Sequence, residues 1–191
     1  MKIYAGGVNA VGKSTLLKEA AKKLDYEYVH GTTGLLNFLG FDKDYEKLRA
    51  LKQEERDIKY RKYIENLLES GGQNFLLDAH YLGLVRGKVD RVTDSWLKDF
   101  DAFVLISASL EDVWKRIESD SKTRDRALFP ADMPEAEMKH LLSEYQKQTS
   151  DEFKRLAELY KKPFVEILNE ENKLGAGVQQ LISFVQLAIR L

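Results

Sequence analysis

Near the N-terminus, Gly7-Val8-Asn9-Ala10-Val11-Gly12-Lys13-Ser14 fits the spacing G-x-x-x-x-G-K-[ST] at each fixed position. Phosphate chemistry demands that spacing. A glycine at 7 permits a tight turn out of a strand, and one at 12 lets the backbone approach an oxyanion with no Cβ in the way. The N–H groups of the stretch Gly7, Asn9, Ala10, Val11, Gly12, Lys13, Ser14 and Thr15 then converge on phosphate oxygens, reinforced by the helix N-terminus that follows. Lys13 supplies a point charge for the β- and γ-phosphates of ATP, and the Ser14 hydroxyl is a ligand for Mg²⁺. A second reactive group, Asp78, closes the apolar run Phe75-Leu76-Leu77. An acid at that place holds Mg²⁺ directly or through water, and it is the one obvious base if the phosphate acceptor is an alcohol.

Further cations lie downstream. Arg116, Lys122, Arg124 and Arg126 fall in or beside a polar stretch, 118–130, where Thr123-Arg124-Asp125-Arg126 makes a compact cationic turn. Guanidinium groups over a γ-phosphate stabilise the charge that develops on its oxygens. The stretch therefore reads as a closing lid, with Arg124 and Arg126 as catalytic groups beside Lys13 and Asp78. On the acceptor side stand Arg49, Arg56, Arg86, Lys88 and Arg91. Taken singly, each is an ordinary solvated charge; as a set they favour a phosphorylated acceptor, which needs arginines and no base. His30 and His80 fall at the ends of predicted strands, where ligands bind in open α/β sheets. Without a carboxylate pattern they make a poor metal site, and His80 is expected to fix the acceptor loop.

Several phosphate-handling classes are excluded by what is missing. Switch GTPases carry Asp-x-x-Gly after this strand and an Asn-Lys-x-Asp base reader; here the residues are Asp78-Ala79-His80-Tyr81, and Asn172-Lys173-Leu174-Gly175 lacks the acid. Motor and remodelling ATPases place a water-activating Glu after the strand's Asp, where this chain has Ala79. Ser70-Gly71-Gly72-Gln73 imitates a transporter signature but ends a helix instead of starting one. Transfer to a second substrate is thus favoured over hydrolysis.

The elements that must hold these groups alternate. Ile3-Tyr4-Ala5 is β-prone, and Leu16, Leu17, Ala20, Ala21 and Leu24 then share one helical face. Strands are predicted over 26–30, 74–78, 102–106 and 164–168. The stretch 42–69 is predicted helical in two pieces, with Tyr45, Leu48, Ile58, Leu67 and Leu68 inward. Ser109 and Asp112 open a helix, and a long helix begins near Pro134 and stops at Lys161-Lys162-Pro163. Strands alternating with helices imply right-handed crossovers and a parallel sheet covered on both faces. The expected fold class is α/β, a P-loop NTPase three-layer sandwich. It has a five-stranded parallel sheet, a helical acceptor-binding insert at 41–70 and a short lid at 118–130, all in one domain spanning 1–191.

Composition bounds the partners. The 191 residues hold 30 basic and 31 acidic side chains, a net charge of −1, so no bulk positive field draws the chain to nucleic acid. Small-molecule nucleotides are the expected partners. The chain has no cysteine, which removes disulfides, thiolate zinc and thiol nucleophiles and fits a cytoplasmic protein. No apolar h-region follows Met1. The longest uncharged stretch, 174–189, falls short of the roughly 20 residues a membrane span needs.

With these residues in view, the chain resembles the archaeal-type adenylate kinases of the nucleoside monophosphate kinase group, over nearly its whole length. The resemblance rests on the Gly7–Lys13 loop, Gly31-Thr32 after the second strand, Asp78-Ala79-His80, Arg124-Asp125 in the lid, and the turn from Asn169 to Asn172. It implies a monophosphate site under the 42–69 helices, drawing on Thr32, Arg49, His80 and Arg86. It also implies an adenine site bordered by Arg116, Asn169 and Asn172. Two departures stand out: Asn9-Ala10 replaces the family's Pro-Gly, and the stretch from Leu82 to Val92 does not match its Pro- and Gly-rich loop. Three readings follow: a Mg²⁺-ATP-dependent kinase of a nucleoside monophosphate such as AMP; a kinase of a hydroxyl on a nucleoside or other small metabolite; and a partner-regulated ATPase switch.

Overall fold

In the computed structural model, all residues are described except 43, 71, 73, 92–94, 122–126 and 191. Strand β1 (Lys2–Gly6) runs into the glycine loop and α1 (Lys13–Leu24), followed by β2 (Glu27–His30). Three helices come next: α2 (Gly31–Phe38), α3 (Tyr45–Ala50) and α4 (Gln53–Ser70). Strand β3 (Phe75–Asp78) leads to a hairpin of β4 (Leu82–Val85) and β5 (Lys88–Arg91), then to β6 (Ala102–Ser107). Helices α5 (Leu110–Ser121) and α6 (Glu135–Tyr160), strand β7 (Phe164–Leu168) and α7 (Leu174–Ala188) complete the chain.

The main sheet has the order β2-β3-β1-β6-β7, and every pairing in it is parallel. All five strands expected from sequence are present, which confirms the α/β three-layer expectation. Alternation along the strands sorts side chains into two layers. Ile3, Ala5, Leu76, Val104 and Ile106 join Leu16, Leu17 and Val178 in one, mostly aliphatic core. Tyr4, Phe75, Leu77, Phe103 and Leu105 join Tyr63, Trp96, Phe100 and Phe153 in the other, which is rich in rings. Trp96 and Trp114 are buried in the core.

Four local differences from the sequence expectation have identifiable causes. The chain after β2 forms α2 at once, because the His30 side chain caps it by accepting from the Thr33 N–H. Tyr45 and Ile58 are exposed on the 42–69 helices instead of inward; α3 and α4 carry charges around most of their surface and bury little. The stretch after Asp78 is a β-hairpin, not a loop: Arg86 and Gly87 both take positive φ, the two-residue geometry that matches strand twist. Helix α5 continues to Ser121, so residues 118–121 of the expected lid are helical, while Lys122, Arg124 and Arg126 lie outside the described residues.

The hairpin is tied down at three places. At its tip the N–H groups of Arg86 and Gly87 donate to the carbonyls of Ala127 and Leu128 at 2.7 and 2.8 Å. At its base the Tyr145 hydroxyl donates to the Leu82 carbonyl at 2.8 Å. Along β5, Asp90 pairs with Arg56 of α4 and Arg91 with Glu152 of α6, at 3.9 and 4.0 Å.

Candidate active site

Strands β1 and β3 are neighbours, with Ala5 in register with Asp78, so the glycine loop and the strand-ending acid emerge side by side at the carboxyl edge of the sheet. This is where ligands bind in open α/β sheets. The loop is backed by close contacts. A Cβ on Gly7 would lie 2.2 Å from the Ile106 carbonyl oxygen, and one on Gly12, at φ 83°, would lie 2.4 Å from Asn169 Nδ2. Val8 and Val11 are buried beneath it. Gly12 precedes α1 and offers no side-chain cap, which leaves the amides of the first turn for an anion.

Asn169 and Arg116 act on the loop from outside. Asn169 is 6% exposed and donates from Nδ2 to the Val11 carbonyl at 2.7 Å. Arg116 of α5 donates to the carbonyls of Asn169 at 3.1 Å and Ala10 at 3.5 Å. Two of the three residues expected to border the adenine ring therefore brace the phosphate loop itself. Asn172 is exposed, with positive φ. Thr15 is exposed in the first turn of α1, and Asn9 and Ala10 are half-buried. Ala10 takes φ 64°, the left-handed region where glycine is favoured.

Lys13 is 6% exposed and its Nζ donates to the carbonyls of Gly7 and Val8 at 3.0 and 2.9 Å. Asp78, equally enclosed, accepts at Oδ2 from the Ser14 hydroxyl at 2.6 Å and from the Tyr28 hydroxyl at 2.8 Å. Burial pushes the Asp78 carboxyl up, but the Lys13 ammonium and the two hydroxyl donors outweigh it and hold the group below the usual carboxylate range. It is a carboxylate at neutral pH. His80 Nδ1 lies 2.8 Å from the Gly7 carbonyl, so that nitrogen carries the hydrogen, and the Tyr4 hydroxyl holds the His80 carbonyl at 2.5 Å. Burial, then the Lys13 ammonium, push the imidazole well below its ordinary value, and it stays neutral. Burial also pushes the Tyr28 and Tyr60 phenols up, so both remain protonated donors.

The donor set suits Mg²⁺, which takes one or two protein oxygens and completes its shell with phosphates and water. Ser14 and Asp78 supply a hydroxyl and a carboxylate in contact. No cluster of three or more His, Cys, Asp or Glu capable of holding a metal occurs among the described residues.

Of the expected acceptor residues, only His80 is shown beside Asp78. Thr32 is half-buried in the first turn of α2. Arg49 pairs with Glu46 on α3, and Arg86 is exposed at the hairpin tip. The groups shown to act on Asp78 are Lys13, Ser14, Tyr28 and His80, with Tyr60 close enough to have its phenol pushed further up by the carboxylate. Tyr28 escaped the sequence reading. The signal was present: it sits two residues before His30, on the same face of β2, and His30 is in register with Asp78.

Fold and site together define the architecture of P-loop kinases. Residues 6–132 match the AAA domain family, and the chain belongs to it. Among solved structures it is similar to a shikimate kinase from Bacteroides thetaiotaomicron, with TM-score 0.71 and 12% identity over 96% of this chain and 97% of that one. A gluconokinase from Sinorhizobium meliloti 1021 superposes with TM-score 0.56 and 16% identity over 99% and 94%. Deoxyadenosine kinase from M. mycoides with bound dATP gives TM-score 0.55 and 15% identity over 97% and 100%. No curated protein matches the sequence. No helix among the described residues is long and apolar enough to cross a membrane.

Proposed function

We propose that this protein is an ATP-dependent phosphotransferase whose acceptor is a hydroxyl group on a small metabolite carrying no phosphate of its own at the reacting position. The observation that carries this reading is the company of Asp78. It is an enclosed carboxylate whose neighbours among the described residues are hydroxyls, phenols and a neutral imidazole, with Lys13 of the phosphate loop as the cation that acts on it. Three of the arginines that a phosphorylated acceptor would call on pair with acids away from Asp78, Arg49 with Glu46, Arg56 with Asp90 and Arg91 with Glu152, and Arg86 is exposed at the hairpin tip. The three superposing proteins are kinases of shikimate, gluconate and deoxyadenosine by description, which supports an alcohol acceptor by analogy of fold.

In this reading the glycine loop and Lys13 hold the β- and γ-phosphates of ATP. The Ser14 hydroxyl, oriented by its hydrogen bond to Asp78, would hold Mg²⁺, which would supply charge neutralisation at the phosphate oxygens. The acceptor oxygen attacks the γ-phosphorus while the bond to the β-γ bridging oxygen breaks. ADP leaves, and the hydroxyl proton passes to Asp78. Ala79 in place of a Glu disfavours water as the nucleophile.

A coupled assay of ADP release tests the proposal. The arms are shikimate, gluconate, deoxyadenosine and other nucleosides, against AMP and other nucleoside monophosphates. Stimulation by an alcohol that bears no phosphate is expected. Stimulation by monophosphates alone would replace this reading with a monophosphate kinase, which the resemblance at Asp78-Ala79-His80 supports. Hydrolysis raised only by a macromolecule would replace it with an ATPase switch.

A further inference from the structure

The carboxylate of Asp78 has two oxygens, and the fold treats them differently. Oδ2 accepts two hydrogen bonds, one from Ser14 at the start of α1 and one from Tyr28 on β2. Two donors saturate the lone pairs of a carboxylate oxygen that lie in its plane. Oδ1 accepts none among the described residues. The donors come from separate elements on either side of the acid, so together they fix the plane of the carboxylate as well as its position.

Tyr28 is well placed to do this and little else. It is half-buried on an edge strand, in register with Leu76, two residues before the partner of Asp78. Its ring is held at two points. Lys18 Nζ stands over it, 5.3 Å from the centroid, and the His30 ring meets it edge-on at 6.5 Å. A phenol has two side-chain torsions to fix, so a braced ring delivers its hydroxyl at small entropic cost.

We propose that Tyr28 is a positioning residue: by occupying Oδ2 together with Ser14, it reserves Oδ1 of Asp78 for the hydroxyl of the acceptor. The assignment rests on the alcohol-kinase reading above. It gives one carboxylate two separated duties. Oδ2 stays with the Ser14 side, where metal and phosphates are handled, and Oδ1 takes the proton of the incoming nucleophile. Without the phenol the carboxylate is free to turn, and the oxygen that meets the acceptor is no longer specified.

The test uses Tyr28→Phe, which keeps the ring, and Tyr28→Leu, which does not. Hydrogen bonds to charged groups are worth enough that losing one that orients a base lowers kcat roughly ten- to a hundredfold. Both variants should show that loss, with Mg²⁺-ATP affinity by calorimetry within about twofold of the parent. A thermal-unfolding cycle of Tyr28→Phe, Asp78→Asn and the double variant reads the bond itself without turnover, and its effects should be non-additive. Additive effects overturn the proposal. So does an unchanged kcat in Tyr28→Phe, or a loss confined to Tyr28→Leu, which would make the residue a packing group. A fall in kcat matched by a fall in Mg²⁺-ATP affinity also overturns it, because Tyr28 would then serve the donor. If the parent responds to no alcohol, the alcohol-kinase reading fails on its own, and the same variants are measured by ATP hydrolysis, with water in the acceptor's place, against the same outcomes.

Discussion

The two sides of the candidate site are built by different physics. On the donor side the phosphate loop is shaped by backbone. Gly7 sits against the Ile106 carbonyl, Gly12 against the Asn169 side chain, and buried polar groups of Asn169 and Lys13 satisfy loop carbonyls. On the side proposed for the acceptor, the Arg56–Asp90 ion pair joins α4 to the hairpin and α3 carries its own pair, Arg49–Glu46, over a ring-rich core. Phosphate is the same anion in every nucleotide, so amides in one geometry serve it. An acceptor is read by side chains, and those are free to differ from one chain to the next.

Breaking the donor side should therefore cost most. Lys13→Ala should lower phosphoryl transfer on the order of a thousandfold while the circular dichroism spectrum and melting curve stay close to the parent's. The ammonium donates to two carbonyls of its own loop and acts on Asp78, so a variant that unfolds instead would make Lys13 a structural residue and erase the contrast. Next comes Gly7→Ala. Its Cβ would fall 2.2 Å from a strand carbonyl that cannot swing away, and denaturant unfolding should show a loss of about 2–3 kcal/mol.

Acid should weaken the junction between the two sides. His80 is held well below its ordinary value of 6.5, so the unfolded chain takes up a proton there before the folded chain does. Stability is then full above 6.5 and falls as pH drops below it, by up to about 1.4 kcal/mol per pH unit. Asp78 is also depressed and adds a loss of the same sign, but from 3.8 downward. Unfolding measured between these values isolates the histidine, and His80→Asn, which keeps a donor for the Gly7 carbonyl, should flatten the slope.

The smallest effects sharpen the contrast. Ala10→Gly relieves a left-handed backbone in the loop and should stabilise by about 1 kcal/mol. Asp90→Asn removes a half-exposed ion pair to Arg56 and should cost less than about 1 kcal/mol, fading with added salt. A larger loss at Asp90 than at Gly7 would reverse the ranking of the two sides.

The same contrast explains which features are legible in the sequence. The glycine spacing, the five strands and Asp78 were legible because each is enforced by backbone geometry or by runs of buried apolar residues. Tyr28 was hidden because its role depends on register: only the pairing of His30 with Asp78 brings its hydroxyl to that carboxylate. Asn169 and Arg116 were expected beside the nucleotide, and their hydrogen bonds around the phosphate loop depend on how β7 and α5 approach it. The hairpin was missed although Arg86-Gly87 is a turn pair, because the flanking strands are short and half-polar.

That hairpin also bears on how the chain reaches its fold. A parallel pairing must wait for its crossover, whereas a two-residue hairpin closes locally in about 1–10 μs. Strand β6 does not pair with β3 but lies beyond β1, and the chain between them, 79–101, carries the hairpin in place of an α-helix. Early closure of β4 on β5 shortens the free chain that remains between β3 and β6. Its tip, however, docks on Ala127 and Leu128, which arrive only after α5 has been added. Those two bonds close a longer loop than the hairpin does, so weakening them is expected to quicken unfolding more than it slows folding.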